Sequence, residues 1–542
     1  MSFSSLSFVY LFLPLALVAV FAAPKGWRNG VLLVESLLFF AWGEPKFLLP
    51  LVGGCLFDYL VARAIRALPV EGRKSKVESH RGKADRATPQ KHLLSIIHYL
   101  LSIISCDARS VLCAAGVAAN VLALGYFKYA GFAIGGVNAV LSAAGLDFAL
   151  PAVKVALPLG ISFFTFQKIS YLVDVRRGVV TPAPNFGRYL LYIALFPQLT
   201  MGPILRYHEI ADQFGDRSVS TEDFLQGLWR FALGLARKAL VAGPLAGVSA
   251  AAFSVTDDGG GLTAASAWIG IYAYTLQIYF DFAGYCDMAV GIGRMLGFRF
   301  PENFDAPYIA RDMGEFWRRW HITLGAFMKE YLYIPLGGNR CSKARSLLNN
   351  WIVFLVSGIW HGASWNFIVW GAWHGIWIVA AKLFRPQQCT MHNAQCTMHN
   401  GGAKHSKHLL SIIYYPLSII CRARLAGAAW TFLMVMFGWV FFAAEDFRSA
   451  AAYFRSLAGC GGTGASIMAE LTPQALCAMA AGTILSFLPA VVPKLGIADW
   501  RIGADGSNAA IWSRTIATAL LLLLATLPLL TSGFSPFIYN RF

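Results

Sequence analysis

Charge is scarce in this sequence. Of 542 residues only 13% are Asp, Glu, Lys or Arg, about half the share of a typical soluble domain. A chain wetted over most of its surface is therefore excluded. What remains is 57% hydrophobic, with a mean hydropathy of +0.55. Apolar stretches long enough to cross a bilayer recur along the whole length, and we read about eleven spans. Acids are the rarer charge, 28 against 45 Lys and Arg, which leaves a formal net charge of +17. In a soluble protein that excess would suggest nucleic acid. Here the cations cluster in short segments between apolar runs, the pattern of cytoplasmic loops. Residues 63–91 hold nine Lys or Arg against three acids, and further basic clusters lie at 176–177, 318–319 and 340–345. We expect a membrane and its lipids as partners, and no nucleic acid.

Two other features are missing. The ten cysteines are scattered, and Cys55, Cys286 and Cys477 fall in or beside apolar runs, so they read as small buried hydrophobes and not as a disulfide framework. The opening apolar run has no positive charge before Lys25, unlike a secretory signal. It is read as an uncleaved first span with Lys25 and Arg28 on the cytoplasmic side.

Short repeats interrupt the chain. KHLLSIIHYLLSII at 91–104 returns as KHLLSIIYYPLSII at 407–420. Two copies are too few for a solenoid. Before the second copy QCTMHN occurs twice, which sets Cys389, His392, Cys396 and His399 at zinc-like spacing. A direct duplication of six residues produces that spacing without a metal, and no metal site is expected. Both regions, 71–110 and 386–424, are read as inserted loops in a single domain of residues 1–542.

Elsewhere the apolar pattern breaks at specific points. Glu44-Pro45 divides one run into two helices joined by a turn. Pro197, Gly202 and Pro203 make a regular helix unfavourable near residue 200. A broken element there, with Gln198 and Thr200 lining a cavity, is tolerated at membrane depth only inside protein. Asp281 and Asp287 lie in an apolar run, where pairing with Arg294 or reaching the interface is at least as good a reading as catalysis.

Residues 315–375 concentrate the polar chemistry. EFWRRWHITLGAFMKEYLYIPLGGNR is amphipathic and aromatic, and is read as helices at or just below the cytoplasmic face. NNWIVFLVSGIWHGASWNFIVWGAWHG then re-enters the membrane. Three histidines, His321, His361 and His374, sit among tryptophans and apolar residues. One such His is more often a satisfied packing residue. Three in one embedded stretch favour chemistry, because a neutral imidazole takes and returns a proton near pH 7. His361 and His374 are thirteen residues apart, about 20 Å on a continuous helix. They act together only if the helix breaks, which Gly362 and Gly371 permit.

Several strings run in order from end to end: FFAWGEPKF, GYFKYAGF, LPLGISFFTFQKISYLVD, MGPILRY, YFDFAGYCDMAVGIGRMLGF, ENFDAPY, FWRRWHITL, YLYIPLGGNR, SGIWHGASWNFIVWGAWHG, GWVFFAAEDF and PFIYNRF. Together they resemble the membrane-bound O-acyltransferases, in particular the branch that acetylates alginate and peptidoglycan. The resemblance covers the chain except the two inserts. It implies an all-α polytopic bundle, a ring of transmembrane helices with re-entrant and interfacial helices around a thin tunnel core.

It implies further that His361, in the WHG string, is the catalytic position and His321 the second important one. His374 matches a recurring His whose role is not assigned, and Trp360 and Asn366 are supporting candidates. Acetyl-CoA is the implied donor, with Arg318, Arg319 or Arg340 toward its phosphates, and no cofactor is bound permanently. The tetrahedral oxyanion needs a donor, and His321, Asn366 or a backbone N–H is equally open to that role. The implied acceptor is an exported polysaccharide, reached through an extracytoplasmic partner of the SGNH-hydrolase type, in a bacterial inner membrane. The nearest alternative is a D-alanyl transferase for teichoic acid, served by a carrier protein. A membrane transporter would need paired broken helices in two related halves, which the chain does not display.

Overall fold

The computed structural model describes residues 2–68, 107–383, 409–461, 464–490 and 508–531, apart from 154 and 216. Its elements are helical. The extended pairings among the described residues are isolated bridges, one joining Phe304 to Trp320. Six helices are long and apolar enough to cross a bilayer: Pro45–Ala67, Ala108–Ala143, Thr221–Asp257, Leu425–Ala443, Pro473–Ala490 and Ile511–Thr531. The duplicated hexapeptides, the first repeat copy and the closing PFIYNRF lie outside the described residues. The second repeat copy is helical from Leu409 onward.

The described chain groups into two compact units. The first takes residues 7–224 and 293–300. It contains α1 (Leu13–Ala22), α2 (Arg28–Gly43), α3 (Leu48–Ala67), α4 (Ala108–Ala143), α5 (Ile161–Arg177) and α6 (Phe186–Ala194). The break at Glu44-Pro45 is present as a short 3-10 turn, Pro45–Phe47. α5 stops at Gly178, whose φ of +75° suits glycine, with Arg176 and Arg177 in the last turn where the helix dipole favours cations. After α6 the chain is broken as expected. A four-residue helix, Phe196–Leu199, leads into a turn and irregular backbone, and Gln198 and Thr200 are buried there. The Gln198 amide donates Nε2–H to the Tyr192 carbonyl, while its buried Oε1 has no hydrogen-bond partner among the described residues.

The second unit takes residues 2–6, 225–292 and 301–542. Thr221–Asp257 runs as α7 (Thr221–Ala236), a π-helical segment Arg237–Ala242, and α8 (Gly243–Asp257). α9 (Ala264–Met295) carries the two membrane aspartates. α10 (Met313–Arg319) and α11 (Ile322–Met328) are the expected short helices. α12 (Lys343–His361), α13 (Trp365–Leu383), α14 (Leu409–Ala443), α15 (Phe447–Leu457), α16 (Pro473–Phe487) and α17 (Asn508–Thr531) complete the unit.

The aspartates have partners other than Arg294. Asp281 receives Lys238 Nζ at 2.5 Å, and Asp287 is held by Arg230 and Arg237. Arg294 pairs with Asp223 instead. Arg237 and Lys238 open the π-helical segment, and each reaches a different aspartate of α9. Five side chains thus meet as opposite charges, with Lys238, Asp281 and Asp287 buried and Arg230 and Arg237 half-buried, as an apolar setting demands.

Candidate active site

α12 and α13 form a hairpin. α12 starts at Ser342, whose side chain accepts from the Arg345 backbone N–H, and ends at His361. Gly362 is extended, with φ −163°, and α13 starts at Trp365. A side chain at Gly362 would overlap the Phe367 ring. The helix therefore breaks directly after His361, and thirteen residues of sequence no longer mean 20 Å of separation.

The fold strings the three histidines along tryptophans. The His321 ring centroid lies 6.3 Å from that of Trp360, and Trp360 lies 4.8 Å from His361. His361 meets Trp370 edge-on at 4.8 Å, and Trp370 meets His374 at 4.9 Å. Trp317, Trp439 and Phe442 close the cluster, with Trp317 5.1 Å from His374 and Phe442 5.3 Å from His361. All three histidines are buried. His374 is fully enclosed, and neither ring nitrogen has a hydrogen-bond partner among the described residues. Its Nε2 packs so closely on Gly438 that a Cβ there would lie 2.6 Å away.

His321 is the N-cap of α11 and adopts φ +47°, an uncommon conformation for a residue with a side chain. Neighbouring backbone holds it. Ile322 N–H donates to the Asn303 carbonyl at 3.0 Å, and Asp305 N–H donates to the Arg319 carbonyl at 2.9 Å. Burial pushes the His321 pKa down to about 3, so the imidazole is neutral at pH 7.

Asn366 is buried at the start of α13 and donates its amide to the Ala444 carbonyl at 2.9 Å. Arg319 contacts Asp305 and Glu315 at 2.8 and 3.1 Å. Burial raises the Glu315 pKa, but hydrogen bonds from Arg311 and Arg319 outweigh it and hold the carboxyl below its usual range. Arg318 and Arg340 are exposed and form no ion pair among the described residues. Among those residues no group of three or more His, Cys, Asp or Glu side chains is placed to hold a metal ion. Cys389, His392, Cys396 and His399 lie outside them.

Sequence reasoning missed Trp370, Trp439 and Asn303. The tryptophans stand in quoted strings, but nothing in a linear pattern tells which ring separates two histidines. Asn303 sits in ENFDAPY, eighteen residues before His321, and the Phe304–Trp320 bridge, with bonds from Thr323 to Asn303, brings the two together.

Comparison with known proteins gives concordant matches. A family model described as membrane-bound O-acyltransferase matches residues 157–415, which contain all three histidines. The probable alginate O-acetylase AlgI of Pseudomonas putida is 34% identical over the full length of both chains. The peptidoglycan O-acetyltransferase of Helicobacter pylori is 30% identical, covering 100% of this chain and 97% of its own. The teichoic acid D-alanyltransferase of Streptococcus thermophilus is 31% identical over 41% of this chain and 56% of its own.

Proposed function

The chain belongs to the membrane-bound O-acyltransferase family, and from that premise we propose that it transfers acetyl groups from cytoplasmic acetyl-CoA to hydroxyls of an exported polysaccharide. It is a multi-pass protein of the bacterial inner membrane. The observation that carries the reading is the buried His361 at a helix break, ringed by Trp360, Trp370 and Phe442. Acyl transfer needs a base and a setting that excludes water, and the residues around this imidazole are aromatic.

In this mechanism His361 takes the proton of an acceptor hydroxyl as its oxygen attacks the thioester carbonyl. The tetrahedral oxyanion collapses, the C–S bond breaks, and the departing thiolate receives the proton. Arg318 and Arg340 attract the donor's phosphates from the cytoplasmic side. An extracytoplasmic partner of the SGNH type relays the acetyl group when the acceptor is remote. Full-length similarity to the alginate and peptidoglycan enzymes favours acetyl over D-alanyl transfer, since the D-alanyltransferase similarity covers less than half of this chain.

The test is the O-acetyl content of cell-envelope glycans from cells expressing wild type or His361→Ala at equal membrane levels. Loss of O-acetyl ester in the variant is expected, and the glycan affected names the acceptor. Unchanged acetylation rejects the assignment, and a change in D-alanine esters instead selects the alternative.

A further inference from the structure

The side-chain amide of Asn303 has one allowed orientation. Its Oδ1 lies 3.1 Å from the Thr323 backbone nitrogen and 2.9 Å from Thr323 Oγ1. A backbone N–H only donates, so the atom facing it must be the oxygen. The opposite end agrees, with Asn303 Nδ2 3.2 Å from Cys286 Sγ. The same Oδ1 lies 3.2 Å from Nδ1 of His321. Two lone pairs cannot face each other in a bond, so Nδ1 carries the proton. In a neutral imidazole the lone pair is then on Nε2. That nitrogen is buried and has no hydrogen-bond partner among the described residues. Phe282 stands edge-on to the ring at 4.8 Å.

We propose that Asn303 is a positioning residue that holds His321 in its Nδ1–H form, so that Nε2 faces the reaction as a hydrogen-bond acceptor that orients a substrate hydroxyl, while His361 takes the proton, and not as the oxyanion donor. The proposal rests on the acyl-transfer reading of the site. The burial that keeps the ring neutral works in the same direction, because only an imidazolium would put a proton on both nitrogens. The αL backbone at His321 fits a residue whose ring orientation the fold over-determines.

The test uses the full-length protein in lipid nanodiscs, labelled with [15N]histidine, with the His321 signals identified by difference against His321→Gln. The wild type is expected to show a protonated Nδ1 and an unprotonated Nε2. Asn303→Leu keeps the size of the side chain and removes the acceptor. It is expected to gain the Nε2–H form and to lower O-acetylation in cells by about 10–100-fold, as other changes to groups that orient an imidazole do. Asn303→Asp still accepts from Nδ1–H and is expected to keep the tautomer and most of the activity. An Nε2–H tautomer in the wild type overturns the proposal. So does Asn303→Leu with the Nδ1–H form intact, or with the tautomer switched and acetylation unchanged. Unchanged acetylation in His361→Ala would instead reject the acyl-transfer reading, while the spectrum decides the Asn303 contact independently.

Discussion

Gly371 of α13 lies against Gly358 of α12 with no room for a side chain between them. A Cβ built on Gly358 falls 3.1 Å from Gly371 Cα and overlaps the Phe367 carbonyl oxygen. One built on Gly371 overlaps the Phe354 carbonyl oxygen. The obstacle in each case is backbone, which cannot rotate aside. Gly371→Ala must therefore part the hairpin and shift the adjacent Trp370, which touches both His361 and His374. We expect a stability loss of about 1–3 kcal/mol, as for other overpacked contacts. Acetyl transfer should fall by about 10²-fold, since a 1 Å displacement at a reacting centre has that effect. Thermal unfolding of the purified protein and glycan O-acetyl content measure the two. Gly53→Ala is the control, because a Cβ there meets nothing within 4 Å. Equal behaviour of the two variants would show that the close approach does not matter.

The hairpin also shows what the sequence made legible. Three histidines among tryptophans, and the need for a break near Gly362, follow from residue type and helical rise alone. The broken element near residue 200 follows from proline and glycine. The partners of Asp281 and Asp287 do not, because Lys238, Arg230 and Arg237 lie 43 to 57 residues away and reach them across a helix pair. Arg294 is closer in sequence but serves Asp223. Local pattern gives the face of one helix, and cross-helix register decides which opposite charge meets it.

Asp58 and Lys168 form another such pair, 3.3 Å apart and buried, and Lys168 lines a cleft of about 180 Å³ together with Leu51, Phe57, Phe127 and Phe164. Asn120 donates to Asp58 Oδ1 at 2.6 Å. Asp58→Asn leaves the ammonium without its counter-charge, and we expect it to lower stability by about 3–5 kcal/mol. The double variant Asp58→Leu with Lys168→Met removes both charges, and Asn120 keeps its bond to the Gly116 carbonyl. It should unfold at or above the wild-type temperature, because an apolar pair often equals a buried ion pair. A double variant as weak as the single one would show that the pair itself is required.

His208 gives the protein a pH dependence of predictable sign. Its Nδ1 lies 2.9 Å from Oδ2 of the buried Asp174, and that hydrogen bond raises the His208 pKa above its ordinary 6.5 despite some desolvation. A folded-state pKa above the unfolded one means that the protonated form binds more favourably in the native state. The contribution is fully present below about pH 6.5 and disappears as pH rises through the raised folded-state value. Unfolding temperatures at pH 6 and pH 8 should therefore differ more for wild type than for His208→Gln, with wild type losing stability at the higher pH. A pH response identical in the two proteins would remove His208 from the account.

The three arginines expected from the sequence near the proposed donor's phosphates separate by what already holds them. Arg319 is bound to Asp305 and Glu315, and its carbonyl anchors the segment that carries His321. Arg318 and Arg340 are exposed and form no ion pair among the described residues. Phosphate attraction is worth most from cations with no competing carboxylate. Arg318→Ala combined with Arg340→Ala should therefore raise KM for acetyl-CoA severalfold and leave kcat unchanged, the signature of lost binding shared by ground and transition states. Its unfolding temperature should stay at the wild-type value, as for most surface changes. The KM difference should shrink as salt screens the exposed charges. Arg319→Ala should behave oppositely, lowering stability by about 1–2 kcal/mol through its lost bonds to carboxylates and reducing kcat by loosening the His321 segment. A double variant with unchanged KM would place the donor's phosphates elsewhere, and an Arg319 variant that altered KM alone would make that side chain a phosphate ligand after all.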